Sequence, residues 1–208
     1  MIKVLVVSRI SFYRLAIMAG KQAKIISSEE LSHLLHFAGT TRNPVRNRVI
    51  LLLSAKAGLR AGEIAALTWD MLVDAQGRVG HVIELRDCAA KKGSGRLVPV
   101  HAELYAALIA LHLCSANSKY VVRSERGGRM TPLSMVVWFN RAFQTVGLQG
   151  CSSHSGRRTF ITRAARLVHR AGGSLRDVQL LAGHRSLKTT ERYIDGDSDA
   201  QRRLVALI

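Results

Sequence analysis

The 208 residues carry 31 Lys and Arg against 14 Asp and Glu, a formal net charge of +17, with 48% hydrophobic and 22% charged residues. That is enough apolar chain for one buried core, which excludes a disordered polymer, and no apolar run approaches the ~20 residues that span a bilayer. So basic a domain repels itself unless it works beside a polyanion, which makes nucleic acid the leading partner ahead of a ribosomal or membrane-surface setting, although charge alone does not separate an enzyme from a binder.

Residues 1–24 contain no acid, and Arg9 and Arg14 interrupt the apolar centre that a secretory signal needs. This stretch is expected to be an N-terminal extension, disorder included, with Met18 as the native start and residues 1–17 without a structural role. Ser27 or Ser28, followed by Glu29 and Glu30, predicts an N-cap with acids in the first turn of a helix through Leu31, Leu34, Leu35 and Phe37. Pro44 suits the first turn of a second helix, through Val49 to Ala57 and stopped by Gly58, and a shorter third helix follows from about Ala61 to Leu67. The period then changes. His81 to Leu85 and Arg96 to Val100 read as two strands, joined by a polar hairpin that carries Lys91 and Lys92.

From His101 the helical period returns, with Leu104, Ala107, Leu108 and Leu111 on one face. A short extended piece at Tyr120 to Val122 and a turn at Gly127 and Gly128 come next, and Thr131 with Pro132 starts a helix through Met135 to Phe143. Ser153 or Ser155 is expected to cap the helix that carries Arg157, Ile161 and Leu167. Ser174 caps another, Leu175 to Ala182, ended by Gly183, and Ser186 opens one more through Tyr193. Ser198 to Ile208 reads as a short amphipathic helix. The expectation is a single, mainly α domain with a small antiparallel β-sheet (α+β).

Three local patterns carry chemistry. Arg60 follows a glycine break with Glu63 three residues on, a spacing that in isolation most often marks a surface ion pair. His154 and Arg157 stand together at a helix start, where a capping histidine and a solvated arginine are the ordinary reading. His184, in the run Leu180 to His184, is followed nine positions later by Tyr193, and a tyrosine in an amphipathic helix is usually half-buried core. His33 and His36, at i and i+3, have no further ligands nearby and read as an exposed helix face, not as zinc ligands. Cys88, Cys114 and Cys151 form no Cys-x-x-Cys pair and suggest neither a disulfide framework nor a thiolate site; a reducing cytoplasm fits.

Taken in order, these residues resemble the signature of the tyrosine recombinase or phage integrase family: Arg, Lys, His-x-x-Arg, His or Trp, and Tyr. The resemblance runs from about Ile25 to Ile194 and includes the Gly-Leu-Arg-x-x-Glu-Ile-x-x-Leu-x-Trp run and the Arg-Leu-Val-Pro strand. It implies a recombinase catalytic domain over residues 25–194. It also implies site-specific cutting and rejoining of double-stranded DNA through a 3′-phosphotyrosyl intermediate, without metal, cofactor or ATP. Arg60 and Arg157 would clamp the scissile phosphate, since planar guanidinium forks match phosphate oxygens and stay charged, with His184 as a third donor. Tyr193 would be the nucleophile and His154 the acceptor of its proton; Glu63 would orient Arg60. The family's lysine lies on the hairpin five residues ahead of the strand arginine, which implies Lys91, with Lys92 as the alternative.

The same resemblance implies a homo-oligomer, a tetramer on DNA, formed by exchange of the helix in residues 195–208 between protomers, with room for accessory DNA-bending proteins and a nucleoid-associated place in the cytoplasm. Most members carry an N-terminal helical domain that closes over the opposite face of the DNA; only some 25 residues precede the matching region here, as in short fimbrial-type invertases, so weaker binding with a smaller salt slope is expected. The alternative is a non-catalytic DNA-binding regulator on the same fold, since Leu175 to Ile194 also reads as helix, turn, helix. A relaxing enzyme of topoisomerase IB type would need domains that are absent from this sequence.

Overall fold

Ser27 accepts the backbone N–H of Glu30 at 3.0 Å while the Glu30 carboxylate accepts that of Ser27 at 2.7 Å, a reciprocal cap that starts the first helix where the serine and the acids predict it. The computed structural model describes residues 23–90, 93–115, 118–193, 205–206 and 208. Within them the chain runs α1 (Ser28–Gly39), α2 (Pro44–Lys56), α3 (Ala61–Ala66), β1 (Val82–Leu85), β2 (Arg96–Pro99), α4 (Ala102–Leu113), α5 (Pro132–Thr145), α6 (Ser155–Leu167), α7 (Leu175–Ala182) and α8 (Leu187–Glu191). The fold is mainly helical with one two-stranded antiparallel sheet. The expected N-terminal extension lies outside the described residues except for 23–24. So do Lys91 and Lys92, and so does the expected C-terminal helix apart from three scattered positions.

Helix α2 is the centre. Val49 to Leu53 are all buried, as a helix apolar on every side must be, because α1, α4 and α6 pack around it. Where α2 meets α6 the backbones come close: a Cβ on Gly156 would lie 2.3 Å from the Ser54 hydroxyl. Just past α2, Gly58 takes the left-handed φ of +66°, and a Cβ there would strike the Phe160 ring at 2.4 Å. These two glycines seat the start of α6 against the end of α2. In the sheet, Ile83 faces Val98 and Leu85 faces Arg96. Ile83, Leu85 and Val98 are buried, so the two-residue period puts Arg96 on the core side.

Most of the apolar interior belongs to one cluster built on α1 to α5 and the sheet. A second, smaller one joins Ile161, Ala165 and Val168 to Val178 and Ala182, with Phe160 and Tyr193 packed against it. The seam between the clusters holds the polar residues described below.

Two expected boundaries are corrected. Neither Ser153 nor Ser155 caps α6; His154 is the N-cap residue and makes no side-chain cap bond, while the Ser155 hydroxyl accepts the N–H of Ser152 at 3.0 Å. The helix expected from Ser186 through Tyr193 does not reach Tyr193. It ends at Glu191, without a side-chain cap from Ser186, and Tyr193 sits in the following turn. There its N–H donates to the Thr190 carbonyl at 3.0 Å, and its own carbonyl accepts the Thr162 hydroxyl from α6, also at 3.0 Å. A bond across the fold holds this turn in place, which no local propensity encodes.

Candidate active site

Glu63 is the anchor of the seam. Three residues into α3, it accepts the backbone N–H of Arg60 at 2.9 Å and so caps its own helix, as a glutamate in the first turn can. Its other contacts are ionic: Arg60 Nη1 at 2.5 Å, Arg96 Nη2 at 3.0 Å and Arg96 Nη1 at 3.2 Å. Only 1% of the Glu63 side chain is exposed, and 6% of Arg96, so this is an interior carboxylate between two guanidiniums and not the surface pair that the spacing alone suggests. Burial works to raise the Glu63 pKa, but the hydrogen bonds and charges of Arg96 and Arg60 outweigh it and hold the group below the usual carboxylate range.

Arg96 ties the hairpin to the other side of the seam, donating through Nε to the Leu181 carbonyl at 2.8 Å near the end of α7. Sequence reasoning used Arg96 as a landmark and did not count it among the site residues. The signal that could have found it is the alternation in β2, which places it on the same face as Val98.

Arg157, one turn into α6, is 3% exposed. Its Nη1 donates to the Gly58 carbonyl at 2.6 Å, and its Nη2 to the Ala182 carbonyl at 2.6 Å and to His184 Nε2 at 2.9 Å. Three of the five guanidinium N–H groups are engaged in this way, which leaves two. Burial, with Arg60 and Arg96 nearby, lowers its pKa to about 10, while Glu63 and Tyr193 oppose the change; it stays charged at neutral pH.

His184 follows Gly183 at the end of α7. Its Nδ1 lies 3.0 Å from the hydroxyl of Thr190, a fully buried residue on α8. A guanidinium has no lone pair, so His184 Nε2 accepts from Arg157, and the single proton of the neutral ring is on Nδ1, donated to Thr190. Sequence reasoning cast His184 as an outward donor; in this geometry its Nε2 is an acceptor. The Tyr193 ring stacks on it with centroids 5.4 Å apart and planes 24° from parallel. Thus Arg60, Glu63, Arg157, His184 and Tyr193 meet along the seam. His154 is exposed at the start of α6 and shares with Arg60 and Glu63 a cleft of about 330 Å³, also lined by Cys88 and Arg129. His33 and His36 are exposed on α1, and among the described residues no group of three or more His, Cys, Asp or Glu could hold a metal ion. Among the described residues no helix is long and apolar enough to cross a membrane.

Burial and the neighbouring Arg157, Arg60 and Arg96 charges push the His184 pKa from 6.5 down to about 4. The sign of the consequence follows from proton uptake. Above pH 6.5 neither state is charged and the fold has its full stability. As pH falls from 6.5 towards 4, only the unfolded chain gains the proton, so stability is lost across that window and the loss levels off below it. Urea unfolding is expected to show about 3 kcal/mol more acid destabilisation between pH 7 and pH 4 in the parent chain than in His184→Gln, which still offers Arg157 an oxygen but does not titrate. Equal acid sensitivity in the two chains would place the charged ring in the folded state.

The profile of the phage integrase family matches residues 24–199. A tyrosine recombinase XerC of Myxococcus xanthus is 32% identical over 183 residues, which cover 82% of this chain and 57% of that protein. A tyrosine recombinase XerA of Thermococcus kodakarensis is 32% identical over 174 residues with the same coverage. The chain therefore spans just over half the length of these curated relatives. Among solved structures, an XerA recombinase superimposes with a TM-score of 0.68 at 25% identity, covering 91% of this chain and 66% of that one. The Tn1549 transposon integrase in complex with transposon right end DNA gives 0.71 at 18% identity, covering 91% and 67%, a likeness of fold alone.

Proposed function

The chain belongs to the phage integrase family, and from that premise we propose that it cuts and rejoins double-stranded DNA through a covalent bond between Tyr193 and a 3′-phosphate. The observation that carries this reading is the single cluster in which Arg157 bonds His184 at 2.9 Å and the Tyr193 ring lies on that same histidine.

In-line displacement at a phosphodiester spreads negative charge over the non-bridging oxygens and the departing oxygen. Arg60 and Arg157 hold those oxygens, the second through the two N–H groups its protein partners leave over. Preorganised donors of this kind contribute roughly 3 kcal/mol each, and His184 adds a third once its proton is on Nε2. The Tyr193 phenol attacks phosphorus; its Oη–P bond forms as the P–O5′ bond breaks. His154 takes the phenolic proton, and Lys91 (or Lys92) gives one to the departing 5′-oxygen. The phosphotyrosyl ester keeps the energy of the bond it replaced, so a second 5′-hydroxyl reverses the step and rejoins a strand without ATP. Glu63 keeps Arg60 aimed, and protomers assemble as a tetramer on the DNA, with bending proteins as accessory partners.

The test is incubation with a nicked DNA duplex, in which the released 5′ fragment diffuses away and traps the intermediate. A protein–DNA adduct that survives denaturant supports the reading; DNA binding without adduct on every nicked substrate leaves the non-catalytic regulator.

Arg129 extends the phosphate surface. Its Nε donates to the Ala65 carbonyl at 3.2 Å and its guanidinium lies 5.9 Å from the centre of the Tyr120 ring, which holds it at the wall of the cleft that Arg60 and His154 line. Arg129→Ala is expected to weaken binding similarly on all DNA sequences and to reduce the slope of log K against log salt by about 1. Affinity titrations at several salt concentrations check this; an unchanged slope removes Arg129 from the contact surface.

A further inference from the structure

The hydrogen bonds of His184 pose a chemical problem once a phosphate enters the site. In the structure Nε2 accepts from Arg157 and Nδ1–H donates to the Thr190 hydroxyl. A phosphate oxygen accepts only, and facing a bare Nε2 it would meet lone pair against lone pair. For His184 to stabilise a phosphate, the ring must carry its proton on Nε2, which leaves Nδ1 as an acceptor inside the fold. A buried ring nitrogen without a partner is costly, so whatever faces Nδ1 decides whether this tautomer is populated.

The group facing it is a hydroxyl, which can accept or donate according to how it rotates. We propose that Thr190 is a positioning residue whose hydroxyl serves both tautomers of His184, accepting from Nδ1–H in the DNA-free protein and donating to bare Nδ1 when Nε2–H turns to a phosphate. The protons balance through solvent: water takes the one on Nδ1 and supplies the one on Nε2, the ring stays neutral, the hydroxyl turns about its Cβ–Oγ1 bond, and the Arg157 N–H that had donated to Nε2 turns to the phosphate instead. The low pKa of His184 is consistent with an exchange between neutral tautomers, because the imidazolium is disfavoured among Arg157, Arg60 and Arg96.

Thr190 is also well placed to link this exchange to the nucleophile. It is fully buried, and its carbonyl accepts the N–H of Tyr193 at 3.0 Å, so one residue supports both the histidine and the turn that bears the tyrosine. Because the ligand is a phosphate, the inference rests on the function proposed above.

The experiment is ¹⁵N-histidine NMR on the full chain carrying Tyr193→Phe, which prevents cleavage, free and with a nicked DNA duplex at low salt. Without DNA, Nδ1 of His184 should resonate as a protonated nitrogen and Nε2 as a bare one; with DNA the two should exchange character. Thr190→Val, similar in shape but unable to donate, should keep Nδ1 protonated on DNA, and with Tyr193 restored should slow cleavage of bound DNA roughly 10–100-fold at unchanged affinity. Thr190→Ser should recover both behaviours. DNA binding with no exchange in the parent, or with the same exchange in Thr190→Val, overturns the role of Thr190 alone. A chain that exchanges tautomers on DNA yet never forms an adduct retains this inference and loses the catalytic reading.

Discussion

Tyr193→Phe is expected to bind DNA as the parent chain does and to form no covalent adduct with it. The substitution removes one oxygen, and that oxygen is the atom proposed to bond phosphorus. What holds the residue in place does not involve it: the ring stacks on His184, the N–H donates to Thr190, the carbonyl accepts from Thr162, and the ring packs against the small apolar cluster of α6 and α7. Fold and phosphate contacts should therefore survive while strand cleavage falls by roughly 10⁴-fold or more, as when other enzymes lose the nucleophile. Denaturing electrophoresis with labelled nicked duplex reads the adduct, and a binding titration on the same preparation reads affinity. An adduct that persists in the variant would assign the nucleophile to another hydroxyl. Loss of binding together with the adduct would show the phenol holding the site in shape.

Removing the carboxylate of Glu63 should cost more than any other single polar change near the site. Its oxygens face the guanidiniums of Arg60 and Arg96 from a position with 1% exposure, and Arg157 adds a third positive charge close by. Glu63→Ala leaves these charges to repel one another with little water to screen them, and breaking one partner of a buried ion pair costs about 3–5 kcal/mol. A domain of this kind has only about 5–15 kcal/mol of stability in total. Glu63→Gln keeps the shape and one accepting oxygen and should lose roughly half as much. Urea unfolding at pH 7 measures both. A loss under about 1 kcal/mol in Glu63→Ala would mean that water reaches the two arginines once the carboxylate is gone. The carboxylate's contribution is present above its unfolded pKa of about 4.5 and is lost as pH falls through the lower folded value, so the gap between parent and Glu63→Gln should narrow in acid.

Much of the scaffold could be read from the chain because its signals are local. A serine followed by acids, a proline in the first helical turn, and glycines after α2 and α7 act within a few residues, and the elements form where they predict. The mainly helical fold with its two strands follows from the same periods. Even the ordered set of Arg60, His154, Arg157, His184 and Tyr193 is visible as a resemblance, since it depends on residue type and order.

Position along the chain says nothing about which donor faces which acceptor, and the remaining features are of that kind. Arg96 became part of the site only when the sheet turned it inward against Glu63 and Leu181. Tyr193 lies past the end of its helix, where Thr162, on another element, holds its carbonyl. The proton on His184 is placed by a guanidinium contributed from α6 and a hydroxyl contributed from α8. Burial then sets the strength of each charge, because an ion pair of the same two residues is weak in water and strong in the interior. Local signals set the elements and named most of the residues at the seam; packing the two apolar clusters against each other set their partners, protonation and exposure, since those depend on distances that exist only in the folded chain.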